Sequence, residues 1–290
     1  MKKKSMILII ATITCVSGYC QDAFGGYMNL VPPENEPKVF ELSTEGRFFA
    51  GDRIAISKDG REIYYTEVTT SWSNYRIRCY TFANNEWSGS SVLFPGFLGP
   101  ALSVDDQTMY FEKYKDSHTC WQSKRTDSGW SAPTLCSELP EAKDKHYLQV
   151  TQSGRIFASS ESSLNGLGEM DIGTYFKDDK EGAYHSLGSP MNSAGNEGDF
   201  YVARDESFIV FASPDRAGEG GADLFISFRK GNGDWSNPRN LGATINTSGY
   251  EFGPYVTDDH RFLFFSRSAD FGRIDVYWVR FDKLLEELRE

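Results

Sequence analysis

No run of apolar residues in this 290-residue chain approaches the roughly 20 that a membrane-spanning helix needs; the stretch from Met6 to about Val16 comes nearest. That excludes an integral membrane segment. Basic residues are in the minority, 30 lysines and arginines against 41 acids, and the formal net charge of −11 argues against nucleic acid or anionic membranes as partners. Histidine numbers four and cysteine five, none at the spacing of a zinc site. The absence of any G-x-S-x-G disfavours serine-hydrolase chemistry. Nothing in the chain calls for a cofactor, and few side chains remain that could move a proton near neutral pH.

What is present begins with a leader. Lys2, Lys3 and Lys4, the apolar run, and then Ser17 and Gly18 follow the order of a secretory signal peptide. We read residues 1–20 as that peptide, cleaved near Cys20 and Gln21, and the mature protein as periplasmic or extracellular. A lipid anchor on Cys20 is disfavoured because Tyr19 is bulky where a small residue usually stands. The leader carries three lysines and no acid, so its loss takes the charge to about −14. Three cysteines remain, and Cys120 and Cys136 flank the Asp127-Ser128-Gly129 turn symmetrically, so a cross-strand disulfide and two buried thiols are both open.

Aromatic residues make up 14% of the chain, and they recur with a period. The stretches IAISKDGREIYYTE from Ile54, ALSVDDQTMYFEK from Ala101, QVTQSGRIFASS from Gln149, YVARDESFIVFAS from Tyr201 and YVTDDHRFLFFSR from Tyr255 share a short strand, a polar turn and an apolar-aromatic strand. A third strand follows each, and in most units a turn leads to Trp-Ser, at Trp87, Trp130 and Trp235. LGSPMNSAGNEGDFYV from Leu187 aligns without a gap on LGATINTSGYEFGPYV from Leu241. Four strands per unit at this spacing are the size of a propeller blade. The fifth unit lacks an outer strand, while PKVFELS from Pro37 has no partner; joining them closes the ring. The predicted fold is therefore all-β, a propeller of four-stranded antiparallel blades, five in number with six as the alternative. Residues 21–36 form a lead-in, 37–280 the propeller, and 281–290 a tail or helix with Leu284, Leu285 and Leu288 on the rim.

The S-x-D-G-x-x-I-Y-Y form at Ser57 to Tyr65 and the DRAGEGGADLF form at Asp215 to Phe225 resemble PD40 repeats, the TolB-like, WD40-like type of exported bacterial propeller. The resemblance covers nearly all of the mature chain. It implies the fold, and leaves function open, because such propellers serve as partner-binding modules, peptidase accessory domains and enzyme scaffolds. Unit three departs from the pattern, with Gln152-Ser153-Gly154 in place of the turn aspartate and no Trp-Ser.

A repeat protein contains its own control: residues recurring at one blade position serve the blade, and a reactive residue found once at a channel position is a site candidate. The turn acids and the Trp-Ser tryptophans recur, and read as scaffold. At the entry to the innermost strands stand Asp52-Arg53, Leu98-Gly99, His146-Tyr147, Gly198-Asp199 and Phe252-Gly253, with Glu197 and Glu251 just before. The loops leaving the second strands add Lys113, Tyr114, His118, Arg216 and Arg267. His146 and Tyr147 are the candidate catalytic pair, although strand alternation should turn one of them away from the channel. Arg53, Arg216, Asp199, Lys113, His118 and Arg267 are the candidate substrate-binding residues; a salt bridge to Asp215 or Glu219 is the structural alternative for Arg216.

These types fit β-elimination from a uronic acid, by a lyase or dehydratase acting on an oligosaccharide. A base takes the C5 proton, a cation neutralises the adjacent carboxylate, and an acid protonates the group leaving C4. On that reading His146 or Tyr147 is base or acid, and Arg53 and Arg216 hold the carboxylate. The rival from another class is a non-catalytic periplasmic propeller binding a protein or peptide at its mouth, as the TolB resemblance implies. Glycoside hydrolysis by a carboxylate pair drawn from Asp52, Asp199, Glu197 and Glu251 is a further alternative.

Overall fold

The computed structural model describes residues 27–114, 119–137, 139, 144–161, 163–175 and 184–289. The leader at 1–20, Cys20 and His118 lie outside the described residues. The alternation in each unit folds into an antiparallel sheet, and there are five such sheets among the described residues, with no sixth. The inner strands are Phe48–Ile56, Leu98–Leu102, His146–Val150, Phe200–Val202 and Tyr250–Val256. Each pairs with the strand that follows it, and the third strand pairs outward with a short fourth. Lys38–Val39 supplies the outer strand of blade five, with Lys38 opposite Trp278 and Val39 opposite Tyr277. Phe40 pins this closure, its ring 5.1 Å from Phe264 and 5.2 Å from Trp278 in a fully buried aromatic cluster.

The recurring polar residues serve the blades. Ser57, Ser103 and Thr257 hydroxyls donate to Asp59, Asp105 and Asp259 at 2.7, 2.6 and 2.6 Å, closing the hairpin turns on themselves. In the Trp-Ser units the Ser88, Ser131 and Ser236 hydroxyls accept from the amides of Thr81, Lys124 and Phe228 at 3.0, 3.0 and 2.9 Å, fixing the outer edge. Trp130 Nε1 donates to the Tyr64 hydroxyl of the neighbouring blade at 3.1 Å. Cys120 and Cys136 form a disulfide between the third strand and the outer edge of blade two. The C-terminal helix Asp282–Arg289 buries Leu285 and rests Leu284 and Leu288 on the core. Among the described residues no helix is long and apolar enough to cross a membrane.

Candidate functional site

The inner strands do not run straight to the mouth. Four of them break register at a bulge, and the residue there has a positive φ: Asp52 at 62°, Gly99 at 66°, Tyr147 at 55° and Gly253 at 59°. Glycine accepts that conformation freely, whereas a bulky side chain there is held at a cost of about 1–3 kcal/mol. The two non-glycine residues meet: the Tyr147 hydroxyl donates to Asp52 Oδ1. The bulge also explains why strand alternation does not turn one of His146 and Tyr147 away. Their rings stand 4.2 Å apart, edge to face, and both side chains enter the same cluster.

His146 lies between two carboxylates. Its Nδ1 is 2.6 and 2.7 Å from the two oxygens of Glu112, and its Nε2 is 2.9 Å from Asp199 Oδ1. Burial works against the imidazolium, but the two acids more than offset it and hold the pKa up at about 10. His146 is therefore charged at neutral pH and has no lone pair to serve as a base. Burial, with Asp199 and Glu112 nearby, raises the Asp52 carboxyl to about 7. Burial, with Asp199 and Asp52 nearby, keeps the Tyr147 phenol well above its ordinary value, so it stays protonated and donates. Asp52 Oδ2 accepts from Thr66 Oγ1 at 3.3 Å, and Asp199 Oδ2 from the Gly253 amide at 3.3 Å. All five blades thus contribute to one knot of charge across the channel.

Glu112 was not among the sequence candidates, yet the repeat carried a signal for it. At its place on the second strand the other blades have Thr66, Ser159, Ala212 and Ser266, and only blade two has an acid. Lys113, one residue on, points the opposite way, with Nζ 4.8 Å from the Phe97 ring and 4.5 Å from Trp121, and does not reach the mouth. Arg53 is 1% exposed and lies beneath Tyr147, its guanidinium carbon 4.5 Å from the ring centre. It reaches the Tyr147 and Phe200 carbonyls at 3.4 Å and lines a cavity of about 30 Å³ on the far side of the knot.

Arg216 and Arg267 stand apart from the mouth in two copies of one clasp. Arg216 Nε bonds Glu197 at 3.2 Å and its NH2 donates to the Met191 carbonyl at 2.7 Å. Arg267 Nε bonds Glu251 at 2.8 Å and its NH2 donates to the Ile245 carbonyl at 2.6 Å. In both, the glutamate is fully buried and also accepts from a hydroxyl four residues before it, Ser193 at 2.6 Å or Thr247 at 2.7 Å. Arg216 thus pairs with Glu197 and not with the expected Asp215 or Glu219. The clasp is scaffold, built by the gap-free repeat of Leu187 and Leu241.

Above the knot the entry loops and the loops leaving the second strands enclose a pocket of about 450 Å³. Asp52, His146 and Asp199 are its charged floor, and Trp72, Tyr114, Tyr250, Phe252 and Phe271 its aromatic walls. Trp72 and Phe271 are held on left-handed backbone, φ 51° and 61°, with their amides bonded to Thr69 O and Ser268 Oγ at 2.8 Å. Neither ring was a sequence candidate, because loops carry no periodicity that marks a residue as facing inward.

No family model matches the chain, and no curated protein is similar to it in sequence. Solved structures do resemble it. The tricorn protease superposes with a TM-score of 0.51 at 12% identity, over 84% of this chain and 22% of that one. A hypothetical protein from Leishmania major gives 0.50 at 12% identity, over 83% and 89%. TolB from Acinetobacter baumannii gives 0.49 at 14% identity, over 78% of this chain, which spans 53% of that protein. The likeness is one of fold alone.

Proposed function

We propose that this chain is an exported, non-catalytic propeller that receives a protein or peptide partner at the mouth of its channel. The pocket carries this reading: aromatic walls surround a floor whose ionisable groups are already paired with one another. Walls of that kind provide large rigid contact area at low entropic cost, and Trp72 and Phe271 are presented there on left-handed backbone. The Cys120–Cys136 disulfide supports an oxidising compartment, periplasmic or extracellular.

β-Elimination from a uronic acid gains no support from this arrangement. The chemistry needs a cation at the substrate carboxylate, but Arg53 is buried behind Tyr147, Arg216 is clasped on Glu197, and the charge at the mouth is largely acidic. His146 is an imidazolium and Tyr147 a neutral phenol, so neither is a base. One observation keeps a catalytic reading in second place: Asp52, raised to about 7 at the pocket floor, has the affinity of a general base near neutral pH. Glycoside hydrolysis would have to draw on Asp52 and Asp199, since Glu197 and Glu251 are held in the clasps.

The test is to pan the mature chain against a displayed library of random peptides and to titrate the selected peptides calorimetrically. Binding that weakens about tenfold or more in Trp72→Ala supports the reading. If no peptide binds at the mouth, and uronic-acid oligosaccharides develop the ultraviolet absorbance of a C4–C5 double bond that Asp52→Asn abolishes, the reading fails in favour of elimination.

A further inference from the structure

Resting on that reading, we infer that the mouth recognises a positively charged group on its partner, an alkylammonium such as a lysine side chain or an amino terminus, seated between the aromatic wall and the Asp199 carboxylate. Four rings make the wall continuous: Trp72 lies 6.1 Å from Phe252, Phe252 lies 5.9 Å from Phe271, and Phe271 lies 4.5 Å from Tyr250. Ring faces attract cations, the more strongly where water is thin. The charged groups of the floor are Asp52, Asp199 and His146, and among the described residues no lysine or arginine lines the pocket. The imidazolium has both nitrogens directed at carboxylates, so its charge is compensated within the knot. Asp199 is the most open of these groups, its side chain 24% exposed against 9% for His146. An approaching cation therefore meets an accessible carboxylate and aromatic rings, and an anion meets no lysine or arginine among the described residues.

The size of the pocket selects the form of the cation. About 450 Å³ admits a side chain or a chain end with its flanking residues, and not the surface of a globular domain. The backbone adds an independent observation. Three aromatic residues among those described have a positive φ, Trp72, Tyr147 and Phe271, and all three stand at this mouth. The other non-glycine positions of that kind are, apart from Met28, acidic, amide or histidine residues. Bulky rings kept in a conformation they disfavour, twice over the pocket and once beneath it, mark a surface shaped for a ligand and not for the blades.

The experiment uses the peptides selected on the mature wild-type chain. Sequences enriched in lysine, arginine or a required free amino terminus are expected. Replacing that lysine by norleucine, or acetylating that terminus, should weaken binding about tenfold or more, and raising sodium chloride from about 50 to about 500 mM should weaken the native peptide but not the norleucine one. Asp199→Asn should remove the difference between the two peptides. Should that variant fail to fold, the norleucine and salt arms need only the wild-type chain. Selected peptides that compete at the mouth, lose affinity in Phe271→Ala and show no preference for a cation would overturn this inference and leave the binding reading intact. No peptide at the mouth, with a neutral oligosaccharide bound there instead, overturns both.

Discussion

Carboxylates face cations in two places in this propeller, and the two arrangements do opposite things. In blades four and five, Glu197 with Arg216 and Glu251 with Arg267 are the same clasp made twice, each acid closed off by a guanidinium and a hydroxyl from its own entry loop. Around the channel, Glu112, Asp199 and Asp52 gather on His146 once only, drawing on different blades. None of the clasp residues has a positive φ. The knot is built on Asp52 and Tyr147 at bulge positions that two other blades give to glycine. Recurrence without strain identifies scaffold, and strain without recurrence identifies a site.

The comparison breaks most visibly if a clasp is cut. Removing one partner of a buried pair strands the other charge, so Arg267→Ala, which leaves the fully buried Glu251 without its guanidinium, should destabilise the chain by about 3–5 kcal/mol in chemical denaturation. Peptide affinity at the mouth should be unchanged for the folded fraction. A loss of affinity larger than the loss of stability would mean that Arg267 belongs to the mouth after all.

The knot should respond to pH. Asp52 holds its proton up to about 7 in the folded chain, against an ordinary value of 3.8, and His146 holds its own up to about 10, against 6.5. Both groups bind protons more tightly folded than unfolded, so stability falls as pH rises. The Asp52 contribution is complete below about pH 4 and lost through 7; that of His146 is complete below 6.5 and lost through 10. Asp52→Asn keeps a residue that tolerates left-handed backbone and removes the first window only. Denaturation midpoints followed with pH should flatten between about 4 and 7, and at pH 8 the variant should exceed the wild type by up to about 4 kcal/mol. An unchanged slope would place the buried charge elsewhere.

How much of this was legible in the sequence follows the same line. The blades, their number and the closure by Lys38–Val39 rest on periodic residues, and period-two alternation carries that information directly. Asp52, His146, Tyr147 and Asp199 were legible as positions, because the entry to each inner strand can be counted from its hairpin. Their pairing was not, since the bulge that brings His146 and Tyr147 together leaves no trace in composition. The glutamate partners of Arg216 and Arg267 were not legible, because they lie 19 and 16 residues away. Glu112 was within reach of the internal control, as the one acid at its blade position. Trp72 and Phe271 were not, because what sets them apart is a backbone angle.

That angle provides the smallest effect and the sharpest contrast. At Trp72 and Phe271 the backbone adopts φ 51° and 61°, where glycine relieves strain, while the rings are only partly buried. Phe271→Gly should therefore leave stability unchanged or raise it by about 1 kcal/mol, the relief of strain offsetting the lost packing. The same substitution should weaken a mouth-binding peptide about tenfold by taking away a ring of the wall. Stability and binding moving in opposite directions on one substitution is the behaviour of a residue retained for its ligand. If Phe271→Gly instead destabilises the chain by several kcal/mol, the ring is scaffold, and the aromatic wall belongs with the clasps.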